Sequence, residues 1–250
     1  MFHNTETLTI KIHFLLAKLT VPLFLLIIFF TLTTFTAHGT QGIEWGRISG
    51  INGHRVLELL DLRQENNLAT WYSSILYLMV GVGLILLGWG NSVEFRISRL
   101  SRFFFQLAAI GAILISADEV ASIHETVSNS LGRFVNQFIL TTPMGDTRFF
   151  WAIPFGAIAS IGLIIIVYEL YRLIAQLPGQ NNWQRQQAYI ALGGALLFLP
   201  GVFLSELMEW YFVTIKQFGT VLTCFEEMFE LLGMYGLFFC VMQIGKQYQL

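Results

Sequence analysis

Charge is what this chain most lacks. Of its 250 residues only 12% are Asp, Glu, Lys or Arg, against 55% hydrophobic, where a soluble domain carries roughly 25% charged residues. An ordinary water-soluble globular domain is thereby excluded. The fourteen Lys and Arg residues are scattered, form no basic tail and leave a formal net charge of −2, so no electrostatic footprint for nucleic acid exists. Cysteine is nearly absent too. Cys224 and Cys240 fall in one apolar run, and on a helix they lie roughly 24 Å apart, too far to bridge each other. Neither a CxxC nor a Cys/His zinc pattern is present, and Gly-x-Ser-x-Gly, His-Glu-x-x-His and P-loop signatures are missing, which removes the standard hydrolase, zincin and NTPase readings. No internal repeat, low-complexity tract or interdomain linker interrupts the chain.

What remains is lipid-soluble. A bilayer core of about 30 Å needs roughly 20 apolar residues per helix, and six stretches qualify: 19–37, 69–89, 103 through the polar end near 129, 149–171, 189–213 and 220–244. They predict an all-α, polytopic transmembrane helical bundle of six helices, folded as a single integral membrane domain over 1–250 with the lipid bilayer as its first partner. The longest connection, 38–68, is expected to be a non-cytoplasmic loop; VLELLDL inside it suggests a short interfacial helix. Lys11 and Lys18 ahead of the first segment and Ala37-His38-Gly39 after it also suit a cleaved signal peptide, although the length of the segment favours a retained helix.

Lys and Arg in the short loops set the orientation. Arg96, Arg99 and Arg102 lie between segments two and three, Arg172 and Arg185 between four and five, and Lys11, Lys18 and Lys246 near the termini. Both termini are therefore expected in the cytoplasm, in a bacterial inner or internal membrane.

With that topology the acids gather at one depth. Segment three ends in SADEVASIHETVSN, segment five carries SELMEW, segment six begins with CFEEMFE, and segment two is preceded by RQENN. Nine of the sixteen acids, Glu65, Asp118, Glu119, Glu125, Glu206, Glu209, Glu226, Glu227 and Glu230, fall in this outer layer. Carboxylates facing lipid cost several kcal/mol, so they are expected to turn inward. At 100° per residue Asp118, Ser122, Glu125 and Asn129 share one stripe of segment three, leaving Glu119 and His124 to either side. Thr223, Glu226, Glu230 and Gly233 share a stripe of segment six.

Crowded carboxylates with one imidazole suit a metal. Oxygen-rich sites take Ca, Mn or Fe, and an added His tilts the preference toward Fe, Mn or Zn. The expected metal ligands are Asp118, Glu119, His124, Glu125, Glu226, Glu227 and Glu230, with Glu65, Asn66, Asn67, Ser122, Glu206 and Glu209 as supporting polar groups. The simplest structural alternative for Asn66 and Asn67 is an N-cap of segment two; for Ser73 and Ser74 it is helix packing. Glu206/Glu209 and Glu227/Glu230 are Glu-x-x-Glu pairs, whereas the Glu-x-x-His of diiron bundles does not occur.

Three motifs, ENNLATWYSS, DEVASIHE and EEMFELLG, resemble a family of uncharacterised bacterial multi-pass membrane proteins that carry E-N-N-x-x-T-W-x-S-S, D-E-x-x-x-I-H-E and E-E-x-x-E-x-x-G. The matching positions are Glu65, Asn66, Asn67, Trp71, Asp118, Glu119, His124, Glu125, Glu226, Glu227 and Glu230. That family has no established activity; what the resemblance implies is that the three motifs form one unit. The leading expectation is a buried acidic/His cluster near the non-cytoplasmic side that binds a divalent metal. The others are a non-enzymatic accessory subunit or assembly factor, whose span glycines and 23 phenylalanines would pack against partners in a membrane-protein complex, and a proton- or cation-coupled carrier.

Overall fold

The computed structural model describes residues 18–39, 59–61, 67–89, 97–121, 123, 149–176, 182–198 and 216–247. Among the described residues there are six helices and no strand: α1 Thr20–Gly39, α2 Leu68–Trp89, α3 Arg99–Ala121, α4 Phe149–Gln176, α5 Asn182–Ala195 and α6 Lys216–Gln247. Three of them, α2, α3 and the Cys224–Gly245 part of α6, are long and apolar enough to cross a membrane; Thr20–Thr34 is a shorter apolar helix. The outward faces are apolar as well. Leu107, Ile110 and Leu114 on α3 and Ile158, Ile161 and Ile164 on α4 are each more than half exposed, a surface suited to lipid rather than water.

α2 packs most extensively against α3 and then against α6, which also touches α1, α4 and α5. A seven-residue spacing of small side chains explains the α2–α3 pair. Ser74, Gly81 and Gly88 of α2 meet Ser116, Ala109 and Arg102 of α3 in antiparallel order. The Ser74 hydroxyl donates to the Ser116 carbonyl at 2.7 Å and the Ser116 hydroxyl donates back to the Ser74 carbonyl at 2.8 Å. One heptad further, a Cβ on Gly81 would lie 3.1 Å from the Ala109 carbonyl oxygen. One more, a Cβ on Gly88 would sit 3.8 Å from that of Arg102. Small residues repeated every seven positions keep one seam facing the partner helix, and without them two backbones cannot approach so closely. The two serines therefore pack helices, satisfying buried hydroxyls in the process.

α6 lies parallel to α2, with Tyr77 opposite Glu230 and Gly83 opposite Val241. α5 runs antiparallel to α6, and here the approach is closest: a Cβ on Gly236 would fall 2.6 Å from the Ala191 carbonyl oxygen, and one on Gly233 would fall 2.7 Å from Phe198 Cβ. Span glycines expected to meet outside partners thus serve contacts within the chain at Gly81, Gly83, Gly233 and Gly236.

α5 departs from expectation. The run 189–213 reads as one unbroken span, yet the helix ends at Ala195, and its last amides, Leu196 and Leu197, bond back to the Gly193 and Gly194 carbonyls. Gly193-Gly194 supplies a reason, since paired glycines weaken the last helical turn; Phe198 is helical again. Residues 199–215 lie outside the described part.

The start of α2 is tied to a short upstream segment. Asn67 Oδ1 accepts the Thr70 amide at 2.9 Å, a regular N-cap, while Asn67 Nδ2 donates to the Asp61 carbonyl and the Leu68 amide to the Leu59 carbonyl. Asn67→Ala is expected to cost about 1–2 kcal/mol, read as a lower midpoint in thermal unfolding, because the cap and the tie to 59–61 are lost together. Asn67→Asp, which keeps the cap, should cost less.

Candidate functional site

Helix direction brings the acids to one end. α2 and α6 begin there; α3, antiparallel to α2, ends there with Glu119; and residues 59–61 are pinned beside the α2 N-terminus. Glu227 lies close enough to Glu230, Glu119, Glu226 and Asp61 to feel the charge of each. Tyr77, almost wholly buried on α2, interacts with Glu230, Glu119 and Glu227, and its hydroxyl donates to Glu230 Oε2 at 3.4 Å. Five carboxylates from three separate parts of the sequence thus gather about Glu227, and three of them, Glu119, Glu227 and Glu230, also reach the Tyr77 phenol.

Each is placed by a local cause. On α3 the buried stripe is Ser101, Phe105, Ala109, Ala112 and Ser116, the seam against α2; three residues beyond Ser116 the same stripe reaches Glu119. The helical phase read from the polar residues alone put Asp118 inside and Glu119 to the side. The close-packed seam fixes the rotation of α3 instead and brings Glu119 to Tyr77 and Glu227; Asp118 and Glu119 are both half-buried. On α6 the triplet Glu226, Glu227 and Glu230 is half-buried and stands just ahead of Gly233, where the helix is clamped against Phe198. Asp61, only 2% exposed, arrives through the Asn67 tie and through a contact of the Thr34 hydroxyl with the Leu60 carbonyl at 3.5 Å.

Of the residues expected to hold a metal, Glu119, Glu226, Glu227 and Glu230 are brought together. His124 and Glu125, and with them Glu65, Asn66, Ser122, Glu206 and Glu209, lie outside the described residues. Among the described residues no three His, Cys, Asp or Glu side chains converge as a ready-made ion cage. Asn67 supports the site indirectly, as a cap. Two members were not expected from the sequence. Tyr77 is one aromatic among many in an apolar run, and nothing local marks it. Asp61 was legible only as the polar face of VLELLDL; the cue was Asn67, whose side chain can cap a helix and hold an upstream carbonyl at once.

The opposite end is basic. The basic side chains that the structure describes, Lys18, Arg99, Arg102, Arg172 and Arg185, stand before α1, at the start of α3, at the end of α4 and at the start of α5, all remote from the acids. Lys216, which opens α6, is the exception in sequence. A second buried acid, Glu169 on α4, belongs to the basic end: Ser101 donates to its Oε2 at 2.6 Å and Arg172 pairs with it at 3.4 Å. It is a neutralised tie between α3 and α4.

No curated protein and no solved structure matches this chain. A family model described as a domain of unknown function, DUF8692, matches residues 23–244, a range that takes in α2, α3, α4 and α5 whole, most of α1 and α6, and every acid of the cluster. The three motifs resembled an uncharacterised family, and the matched family is likewise without an assigned role. The chain belongs to the DUF8692 domain family.

Proposed function

We propose that this protein is a six-helix integral membrane protein whose acidic end, on the non-cytoplasmic side, binds a divalent metal ion. One observation carries the reading: Glu227 feels the charge of Glu230, Glu119, Glu226 and Asp61, and Tyr77 that of Glu230, Glu119 and Glu227, at the end remote from the described basic side chains. Like charges held together on rigid helices repel, and a divalent cation is the simplest group that offsets several at once. Carboxylate oxygens are hard ligands, suited to Ca, Mn or Fe; His124, five residues beyond Glu119 in sequence, would tilt the preference toward Fe, Mn or Zn. The basic end faces the cytoplasm by the positive-inside rule, which puts both termini there.

The test is elemental analysis of protein purified in mild detergent without chelator, beside a Glu227→Gln/Glu230→Gln variant. Near-stoichiometric divalent metal is expected in the wild type and little in the variant. Trace metal in both, with equal thermal stability, would sink the reading.

A second reading has support of its own. The described carboxylates form no preset cage, and the helix after Ala195 is interrupted at Leu196 and Leu197, between the contacts with Gly236 and Gly233, as helices are beside ion pathways. A proton- or cation-coupled carrier fits those two features. In liposomes its flux should fall with Glu230→Gln; flux indifferent to that change removes it.

A further inference from the structure

At the basic end, α4 and α5 enclose an open groove of about 370 Å³, within the roughly 300–1,000 Å³ span of small-ligand sites. Its wall is almost entirely apolar: Ile164, Val167 and Leu192 run along it, and Tyr168, Tyr171 and Tyr189 gather toward the basic end. Tyr171 and Tyr189 pack ring to ring across the groove at 5.5 Å. Arg172, one helical turn beyond Tyr168, stands over the Tyr168 ring at 5.9 Å and remains 44% exposed. Arg185 precedes Tyr189 by one turn on α5, which puts it on the same face. The order along the groove is therefore aliphatic, then aromatic, then cationic, the polarity order of a bilayer leaflet from its interior to its headgroups.

We propose that this groove binds an anionic phospholipid of the basic-end leaflet, with an acyl chain along Ile164, Val167 and Leu192 and the phosphate at Arg172 and Arg185. Charge complementarity selects the occupant, since basic pockets between membrane helices recognise anionic headgroups. Arg172 also pairs with Glu169, but through Nη1 alone; a guanidinium carries five donors, so others stay available to a phosphate. The inference rests on the chain lying in a membrane and is independent of the acidic site at the other end.

Gly193 makes a sharp probe. It lines the groove, is exposed, and a Cβ there meets nothing within 4 Å, so Gly193→Phe fills the groove without pressing on the protein. Native mass spectrometry of the full chain, incubated in mild detergent with equal amounts of phosphatidylglycerol and phosphatidylcholine of the same chains, reads the outcome. The wild type is expected to retain phosphatidylglycerol over phosphatidylcholine by roughly tenfold. Arg172→Gln/Arg185→Gln should bring the ratio near one, and Gly193→Phe should lower retention of both lipids. Parity in the wild type, or unchanged retention in Gly193→Phe, overturns the proposal. So does displacement of phosphatidylglycerol by millimolar inorganic phosphate, which would make the site one for free anions. Should the double arginine variant fail to fold for want of the Glu169 pair, Gly193→Phe decides alone.

Discussion

Gly236→Leu is expected to yield no folded protein, and Gly236→Ala to lower stability by about 1–3 kcal/mol, measured as loss of the monodisperse peak on heating in detergent. A Cβ at this position would lie 2.6 Å from the Ala191 carbonyl oxygen, 2.8 Å from the Ala195 amide nitrogen and 3.0 Å from the Gly194 carbonyl carbon. All three are backbone atoms, so no side chain can swing aside. The whole of α5 must move off α6, or the dense contact between them opens. Gly193→Ala in the neighbouring helix is the control: its Cβ enters open space, and exchanging glycine for alanine within a helix should raise stability by up to about 1 kcal/mol. Two Gly→Ala changes on facing helices should thus have opposite signs. If Gly236→Ala also stabilises, the close approach of α5 and α6 is wrong.

Metal removal carries the second large effect, and its sign reverses with sequence. A ligand bound at a thousand times its dissociation constant stabilises by about 4 kcal/mol, so chelation should lower the wild-type unfolding midpoint steeply. The stripped protein then holds Glu227 beside Glu230, Glu119, Glu226 and Asp61 without the charge of the metal. Glu227→Gln removes one charge from that group while keeping its shape. In chelator the variant should therefore be more stable than wild type, by on the order of 1 kcal/mol for charges a few Å apart at an intermediate effective dielectric. With metal present it should be less stable. A variant that is more stable under both conditions would leave a repulsive acidic cluster with no cation in it, and would move the weight to the carrier reading.

The helices were legible because their cause is local. Runs 19–37, 69–89, 149–171 and 220–244 match α1, α2, α4 and α6 to within about five residues at each end. The run 189–213 shows the limit: it has enough apolar length, but Gly193-Gly194 precedes a turn at Leu196 and Leu197 that a count of apolar residues does not register. Of the acidic end, Glu119, Glu226, Glu227 and Glu230 were legible as acids at one depth. What turns Glu119 toward Tyr77 was not, because Ser74, Gly81 and Gly88 lock α3 by its seam, and that information lies on a different helix from the motif it orients. Tyr77 was invisible for a related reason: it is brought in by the parallel alignment of α2 with α6, which leaves no mark on its own neighbourhood in the chain. Asp61 was half-visible, since the Asn67 that holds it lies only six residues on.

The parallel seating of α6 on α2 also has a consequence for how the molecule comes to exist. α2 and α3 are consecutive and joined by a short connection, and their seam is complete without any other element, so the hairpin can settle as soon as both have left the ribosome. α6 follows only after the intervening chain is made, roughly 5–20 s later at ordinary rates of synthesis. Until then Gly83 awaits Val241, Tyr77 awaits Glu230, and Glu119 stands apart from its later neighbours. The acidic end is thus assembled only when α6 enters, and its negative charge is concentrated only at that moment.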